Sequence, residues 1–322
     1  MEARQIVFVS KGTVALKSVE VEAPLAGEVR VEMLYSTISP GTELAFLHQA
    51  PNTTSDFPMF AGYTACARVV DCGPDVGGFQ PRQLLAVQGP HASHARLSES
   101  VCWKIPASLD AKEAAAFRIV SIALQGVRKA EIRLGHSVAV LGLGVVGNLA
   151  GQIARAAGAT RVVGIDPVAE RRTLAKSCGF DAVYAAAEEM GGETFEVVIE
   201  ASGVPEAITN ALTLAPRLGR VIILGSTRGT TKEVNFYRDV HKKGLTIIGA
   251  HDGIRAAVED VGFLATHHSD GQTSLDLMAA GRVKVGPLIS DTVGPDQAVE
   301  AYQRLSRREE PLTTVAIRWA DD

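Results

Sequence analysis

The stretch SVAVLGLGVVGNLAGQIARAAGATRVVGID, residues 137–166, decides the fold of this chain. It opens on a short apolar run, passes through Gly142, Gly144 and Gly147 in G-x-G-x-x-G spacing, and continues into a helix-length segment and a second apolar run. Glycines at this spacing permit a tight turn, close approach of the backbone to a pyrophosphate, and tight packing of the helix on the strand. The stretch therefore predicts a strand–helix–strand unit that binds a dinucleotide.

The second strand of this unit ends at Asp166. An acid at that position accepts hydrogen bonds from the ribose hydroxyls of adenosine and repels a 2′-phosphate, so we expect NAD rather than NADP. Arg171 and Arg172 follow closely and could soften that repulsion, which puts Arg171 among the candidate cofactor contacts. The alternative interpretation is a pair of solvated arginines on a helix surface.

The sequence changes pattern on either side of this stretch. Up to about residue 110, short strand-like runs such as QIVFVS (5–10) and EVRVEML (28–34) are separated by glycines and prolines, which predicts an antiparallel, barrel-like unit. A helical segment, 109–132, leads into apolar strands that alternate with helices, which predicts a parallel sheet covered on both faces. Two further helices, 272–283 and 295–308, and a closing strand, 313–319, complete the chain.

These patterns predict an α/β fold with two domains, because 322 residues exceed the usual size of one hydrophobic core. We expect a β-rich domain from residues 1–115 and 265–322, and a doubly wound parallel-sheet nucleotide domain from residues 116–264. No internal repeat is visible in the sequence.

Composition excludes several classes of partner. The formal net charge is −4 and the lysines and arginines are scattered, so we expect no nucleic acid. No apolar run approaches the roughly 18 residues of a membrane span, which predicts a cytoplasmic protein with no membrane partner. The four cysteines lie far apart without C-x-x-C spacing, so we expect them to be reduced.

Several motifs together resemble the medium-chain dehydrogenase/reductase family. They include PMFAGYTACARVV (58–70), the glycine turn, IEASGVPEAITNAL (199–212), GRVIILG (219–225) and LMAAGRVKVGPLI (277–289). The resemblance covers almost the whole chain and implies a GroES-like catalytic domain, a Rossmann nucleotide domain and a homodimer formed through the edge strand LTIIGA (245–250). It also implies a set of cofactor contacts, namely Gly142, Gly144, Val145, Val146, Gly147, Asp166, Ala201, Ser202, Gly203, Leu224 and Gly225.

The departures from the family pattern concern zinc. Where zinc-dependent members have cysteine, histidine and glutamate ligands, this chain has Pro40, Tyr63 and Thr64, which cannot form such a site. The cysteine-rich structural zinc lobe is also missing from the sequence. His91 and His94, like the adjacent His267 and His268, lack a recognisable third ligand, so we interpret them as loop histidines. The sequence therefore predicts a zinc-free member.

Without zinc, hydrogen-bond donors must polarise the substrate oxygen. Tyr63 is the first candidate for the acid/base, since a phenol near a cationic cofactor can have a lowered pKa. Thr42 is a candidate relay hydroxyl and Glu43 a candidate orienting acid. The alternative without a catalytic role is that Tyr63 only fills space and that Glu43 only stabilises the loop. His251 follows the last nucleotide-domain strand, at the sheet edge where ligands bind, and is the fourth candidate.

These observations favour an NAD-dependent, zinc-independent dehydrogenase that interconverts a secondary alcohol and a ketone on a polar small molecule such as a sugar or cyclitol. The G-T-E pattern is also similar to a dehydrogenase of bacteriochlorophyll synthesis, which leaves a tetrapyrrole side-chain alcohol open as substrate. Two other classes stay open: a reductase of an activated C=C bond, and a non-catalytic nucleotide-binding protein.

Overall fold

The computed structural model describes residues 1–255, 265–307 and 310–321. The strands of the described residues are β1 (Glu2–Ser10), β2 (Thr13–Glu20), β3 (Glu28–Thr37), β4 (Met59–Phe60), β5 (Ala65–Cys72), β6 (Leu84–Val87), β7 (His94–Ser98), β8 (Cys102–Lys104), β9 (Ser137–Leu141), β10 (Arg161–Ile165), β11 (Ala182–Tyr184), β12 (Val197–Glu200), β13 (Arg220–Ile223), β14 (Thr246–Gly249), β15 (Ile289–Val293) and β16 (Thr314–Arg318). The α-helices are α1 (Pro40–Leu47), α2 (Ala111–Ala114), α3 (Phe117–Ala130), α4 (Val145–Ala156), α5 (Ala169–Ser177), α6 (Pro205–Leu214), α7 (His267–Ala279) and α8 (Ala298–Arg307).

The chain divides into two compact units. The first comprises Met1–Ile119 with two later segments, Ala256–Ala280 and Ile289–Asp322, and the second comprises Val120–Arg255 with Gly281–Leu288. The short segment 281–288 thus groups with the second unit, whereas the sequence pattern had assigned it to the first. The predicted domain boundary at residue 264 and the last residue of the predicted helix 295–308 lie outside the described residues.

The first unit is built from two sheets. One has the order β2-β1-β4, and the other has the order β15-β16-β3-β5-β6-β8, with β7 also pairing β3. All pairings are antiparallel except that of β15 with β16. Alternation of buried and half-buried residues along the first part of β3 places Val29, Val31 and Met33 in the core, as expected of a strand whose two faces differ in burial.

Helix α1 leaves the end of β3 and carries Thr42 and Glu43. Pro40 occupies its first turn, where the missing N–H costs nothing and the fixed φ suits a helix. The helix buries Glu43, Ala45 and Leu47. Leu47 joins a core cluster that also contains Phe8 and Tyr302, so the local fold fixes Glu43 inside the unit.

The second unit contains one six-stranded parallel sheet in the order β11-β10-β9-β12-β13-β14. Counted from β9, this is the 3-2-1-4-5-6 order of the doubly wound nucleotide-binding fold. The chain reverses direction of winding between β9 and β12, so the residues that follow these two strands meet at the carboxyl edge of the sheet, where ligands bind in such folds.

The predicted α/β fold class is confirmed. Two details differ from the sequence pattern. The helical segment 109–132 forms two helices, α2 and α3, and α7 begins at His267, five residues before the predicted start at Gln272. Thr266 explains the earlier start, because its hydroxyl and that of Ser269 form a reciprocal capping box. Among the described residues, no helix combines the length and the apolar character needed to span a bilayer.

Candidate functional site

The glycine turn has the geometry that a dinucleotide requires. Gly142 adopts a φ of +87°, and a Cβ there would lie 2.6 Å from the Cα of Ser202. A Cβ on Gly147 would lie 1.8 Å from the carbonyl oxygen of Gly142, so the helix packs directly on the turn. Gly144 is the N-cap of α4, has no side-chain cap, and faces open space. The residues therefore fit a pyrophosphate at the helix N-terminus.

Asp166 is buried beside this turn, with 2% of its surface exposed. Its Oδ2 accepts a hydrogen bond from the N–H of Leu143 at 2.8 Å, and its Oδ1 accepts one from the N–H of Val168 at 2.8 Å. Each oxygen retains a lone pair for a further donor. Asp166 thus orders the glycine turn and can still accept ribose hydroxyls.

The two arginines after Asp166 are not simply solvated. The Nη1 of Arg171 lies 3.7 Å from the Oδ2 of Asp166. The Nη1 of Arg172 donates to the carbonyl oxygens of Asp166 and Pro167 at 2.7 and 2.8 Å. The interpretation as plain surface arginines is therefore wrong for both, and Arg171 offsets part of the negative charge of Asp166.

The turn after β12 forms the opposite side of the glycine turn. Ala201 donates its N–H to the carbonyl oxygen of Leu141 at 2.8 Å, which joins the ends of β12 and β9. Gly203 adopts a φ of +70°, and Ser202 is exposed. Leu224 packs its side chain against Gly126, so only its backbone and that of Gly225 can face a ligand.

Val145 and Val146 occupy the first turn of α4, directly after the glycine turn. Val145 is buried and Val146 is half-buried. Their backbone N–H groups belong to the end of the helix that favours anions. Contacts from these two residues to a cofactor stay a prediction.

In the first unit, Glu43 is at the centre of a buried polar cluster. Its Oε1 accepts a hydrogen bond from the N–H of Ser39 at 2.7 Å. Its Oε2 lies 3.0 Å from Nε2 of His91 and also accepts a hydrogen bond from the hydroxyl of Tyr302. His91 and Tyr302 are fully buried, and Glu43 has 3% of its surface exposed. Three donors therefore hold one carboxylate away from solvent.

The cluster continues beyond His91 to Ser36. The Nδ1 of His91 lies 2.7 Å from the hydroxyl oxygen of Ser36, which in turn accepts a hydrogen bond from Nε1 of Trp319 at 2.8 Å. The indole can only donate, so the Ser36 hydroxyl is free to donate to His91. With that assignment His91 carries its hydrogen on Nε2 and donates to Glu43, so each hydrogen bond of this chain has one donor and one acceptor.

His91 lies in a loop, as expected, but it is buried and paired with Glu43. Its ring packs on Gly62, where a Cβ would lie 2.6 Å from the imidazole. The loop assignment is wrong for the other three histidines, because His94 begins β7, and His267 and His268 open α7. No local sequence signal indicates the pairing of His91 with Glu43, because the two residues are 48 positions apart and meet only through the fold.

Tyr63 follows Gly62 and lies beside this cluster. Its hydroxyl oxygen is buried and has no hydrogen-bond partner among the described residues. Burial raises the pKa of the Tyr63 phenol, and the charge of Glu43 adds to the rise. The hydroxyls of Ser39 and Thr42 and the charge of Arg118 lower that pKa to a smaller extent. The protein's own groups thus favour the protonated form of Tyr63, and a lowering of its pKa by a cationic cofactor stays a prediction.

The other candidates occupy different positions. Thr42 is half-buried on α1, next to Glu43. Thr64 is buried, donates from its hydroxyl to the carbonyl oxygen of Ala115 at 2.7 Å, and accepts from the N–H of Arg118 at 3.3 Å. His251 belongs to the second unit, is exposed, and accepts a hydrogen bond from the N–H of Gly253 at 3.1 Å. The structure brings Thr42, Glu43 and Tyr63 together within one unit.

The donor set around Tyr63 does not fit a catalytic zinc. Pro40 offers no side-chain donor, the Thr64 hydroxyl is engaged on both sides, and the phenol of Tyr63 is held protonated. Within residues 1–255, 265–307 and 310–321, no group of three or more histidines, cysteines and acids could hold a metal ion.

Comparison with known proteins agrees with the nucleotide-binding fold. The family model described as zinc-binding dehydrogenase matches residues 145–265. D-guloside 3-dehydrogenase of Escherichia coli is 27% identical over 285 residues, which cover 76% of this chain and 80% of that protein. The 2-dehydro-3-deoxy-L-galactonate 5-dehydrogenase of Pseudoalteromonas atlantica is 24% identical over 83% of this chain and 85% of its own length. A Sinorhizobium meliloti structure bound to NADP superimposes with a TM-score of 0.85 at 23% identity, covering 99% of both chains.

The fold, the glycine turn and the similarity to these dehydrogenases together indicate that the chain is an oxidoreductase with a nucleotide-binding fold. Residues 145–265 match the zinc-binding dehydrogenase family, and the relatives that cover most of the chain are dehydrogenases.

Proposed function

We propose that this chain is a zinc-independent, NAD-dependent oxidoreductase that interconverts a secondary alcohol and a ketone on a polar small molecule such as a sugar or cyclitol. The observation that carries the proposal is the buried hydroxyl of Tyr63, which has no hydrogen-bond partner among the described residues and lies beside the Glu43 cluster. A buried donor without a partner costs about 1–3 kcal/mol, so a ligand oxygen is the natural acceptor for it.

The protonation state of Tyr63 defines its part in the reaction. The nicotinamide supplies or accepts the hydride when it is bound. Because burial and Glu43 keep the phenol neutral, Tyr63 donates its proton to the carbonyl oxygen of a ketone as the alkoxide develops. In the reverse direction, the phenol must first release its proton, and only then can Tyr63 accept the proton of the alcohol as the hydride leaves for the nicotinamide. Thr42 is the neighbouring hydroxyl that would relay this proton.

The second unit supports the nucleotide part of the proposal. The open space at Gly144, the uncapped helix N-terminus and Asp166 suit a dinucleotide with free ribose hydroxyls. The Sinorhizobium meliloti structure contains NADP, and Arg171 beside Asp166 would reduce the discrimination against a 2′-phosphate. We favour NAD because Asp166 is buried with its charge at the strand end, where the ribose binds.

The relatives support the substrate class. D-guloside 3-dehydrogenase and 2-dehydro-3-deoxy-L-galactonate 5-dehydrogenase are named for substrates of the sugar type with ring or chain hydroxyls. A cluster that contains Ser39, Thr42 and Tyr63 offers hydroxyls to such a molecule. We therefore propose a sugar or polyol derivative ahead of an apolar alcohol.

The test is a substrate panel with the purified protein after treatment with a chelator. Sugars, polyols and their ketones, together with enones, are offered with NAD, NADP and their reduced forms, and the reduced nicotinamide absorbance is followed. We expect turnover with polyols or their ketones. Reduction confined to enones would instead support the C=C reductase, and nucleotide binding without any hydride transfer would support a non-catalytic nucleotide-binding protein.

A further inference from the structure

Glu200 is a buried acid of the nucleotide-binding unit to which the proposed reaction assigns no role. It is the last residue of β12 and pairs with Leu141 of β9 and Ile223 of β13, the two strands on either side. None of its surface is exposed. Its position is therefore at the carboxyl edge of the sheet, at the point where the winding reverses.

The two carboxyl oxygens of Glu200 have unequal surroundings. Oε1 accepts hydrogen bonds from the N–H of Ser202 at 2.7 Å, from the Ser202 hydroxyl, and from the N–H of Gly203 at 3.1 Å. Oε2 is buried and has no hydrogen-bond partner within the described part of the chain. It points towards Gly225, where a Cβ would lie 2.9 Å from it.

This asymmetry suits a carboxylic acid better than a carboxylate. An ionised carboxylate spreads its charge over both oxygens, and a bare buried oxygen then carries charge without a donor. A neutral acid keeps Oε1 as the carbonyl acceptor of three donors and carries its proton on Oε2. Burial raises the pKa of Glu200, while the Ser202 hydroxyl and the two N–H groups act in the opposite direction.

The residues held by Oε1 contact the glycine turn. A Cβ on Gly142 would lie 2.6 Å from the Cα of Ser202, so the 202–203 segment packs directly against that turn. We propose that Glu200 is a positioning residue of the dinucleotide site and works there as a neutral carboxylic acid, since a negative charge at this place would oppose an anionic diphosphate. The proposal rests on the proposed nucleotide binding.

Few charged groups surround Glu200. On the glycine-turn side, Asp166 accepts the N–H of Leu143. On the other side, Arg228 donates its backbone N–H to the carbonyl oxygen of Gly203 at 2.9 Å, and burial lowers the pKa of its guanidinium. Residues 141–144, 201–204 and 223–227, which adjoin Glu200, include no other side chain that titrates.

The first experiment needs no nucleotide. Infrared difference spectra between the wild-type protein and Glu200→Gln at pH 7 should show the carbonyl stretch of one protonated carboxylic acid that the variant lacks. The band should disappear reversibly as the pH is raised. A difference spectrum with carboxylate bands alone would overturn the proposal, whether or not the protein binds a nucleotide.

The second experiment measures NADH affinity by calorimetry between pH 6 and pH 9. Above the pKa of Glu200, ionisation places charge beside the diphosphate, so the Kd of the wild type should rise by up to about tenfold per pH unit. Glu200→Gln should bind with a nearly constant Kd. Glu196→Gln, at an exposed residue directly before the opposite end of β12, is the matched control and should keep the wild-type pH dependence.

A second variant tests the same idea if Glu200→Gln does not fold. Ser202→Ala removes an exposed hydroxyl that lowers the pKa of Glu200, so the loss of NADH affinity should begin at a higher pH. An unchanged onset, or a wild-type pH dependence in Glu200→Gln, would contradict the proposal. Failure of the wild type to bind NADH would refute the nucleotide function instead, and the infrared result would still decide the state of Glu200.

Discussion

The Nε2 nitrogen of His91 lies 3.0 Å from the Oε2 oxygen of Glu43. Tyr302 and the N–H of Ser39 also donate to Glu43, so three donors hold this carboxylate in place. Its negative charge raises the pKa of the neighbouring Tyr63 phenol. Glu43, held in place by His91, thus favours the protonated form of Tyr63 but does not itself donate the proton.

Tyr302→Phe should destabilise the protein by about 1.5–3 kcal/mol, the usual contribution of a hydrogen bond to a charged group. Phenylalanine preserves the edge-to-face contact with Phe8, whose ring centroid is 5.3 Å away, so the loss isolates the hydroxyl. Denaturant unfolding measures the change. Tyr237→Phe, at a site that is 63% exposed, is the control and should shift stability by less than about 0.5 kcal/mol. Equal effects would argue against a structural Glu43 cluster.

The purified protein should contain no stoichiometric zinc and should keep its activity after chelation. The reason is the donor set, since Pro40, Tyr63 and Thr64 cannot form a site of cysteine, histidine and carboxylate ligands. Elemental analysis of the protein, alongside activity before and after dialysis against a chelator, measures this. One tightly held zinc ion per chain would contradict the prediction.

The protein should bind NAD more tightly than NADP, and Asp166→Ser should reduce that preference. Serine removes the charge that repels a 2′-phosphate. Arg171→Ala should act in the opposite direction and strengthen the preference, because the guanidinium 3.7 Å from Asp166 offsets its charge. Dissociation constants for both nucleotides give the ratio directly. Tighter binding of NADP by the unmodified protein would show that Asp166 does not select the cofactor.

We predict a homodimer that pairs β14 with its symmetry mate. Within the described residues, β14 has a partner strand only in β13, and Ile247 is 40% exposed on this edge. An unpaired apolar edge favours association, and two-fold pairing satisfies its backbone groups. Ile247→Asp should give a monomer by light scattering, whereas Leu134→Asp, at a residue 90% exposed, should not. A monomeric wild type at micromolar concentration would refute the prediction.

The nucleotide fold was predictable because its signals are local. The spacing of Gly142, Gly144 and Gly147 and the acid at the end of β10 all lie within thirty residues of sequence, and the structure shows the expected turn. The Glu43 cluster was not predictable. His91, Tyr302 and Trp319 come from distant parts of the chain, and only the folding of the β-rich unit brings them to α1. The rise that burial causes in the pKa of Tyr63 was likewise not predictable, since it depends on how the β-rich unit folds around the phenol.

The most direct test of the account is the single-turnover rate of hydride transfer in Tyr63→Phe, measured with the best substrate of the panel and saturating cofactor. Loss of a general acid should lower the rate by roughly 10²–10⁴-fold while the Kd of the nucleotide changes little. Thr42→Val should lower the rate less than Tyr63→Phe does if Thr42 only relays the proton. A Tyr63→Phe rate within about threefold of the wild type, under 1 kcal/mol in the barrier, would contradict the central claim and leave Tyr63 as a space-filling residue.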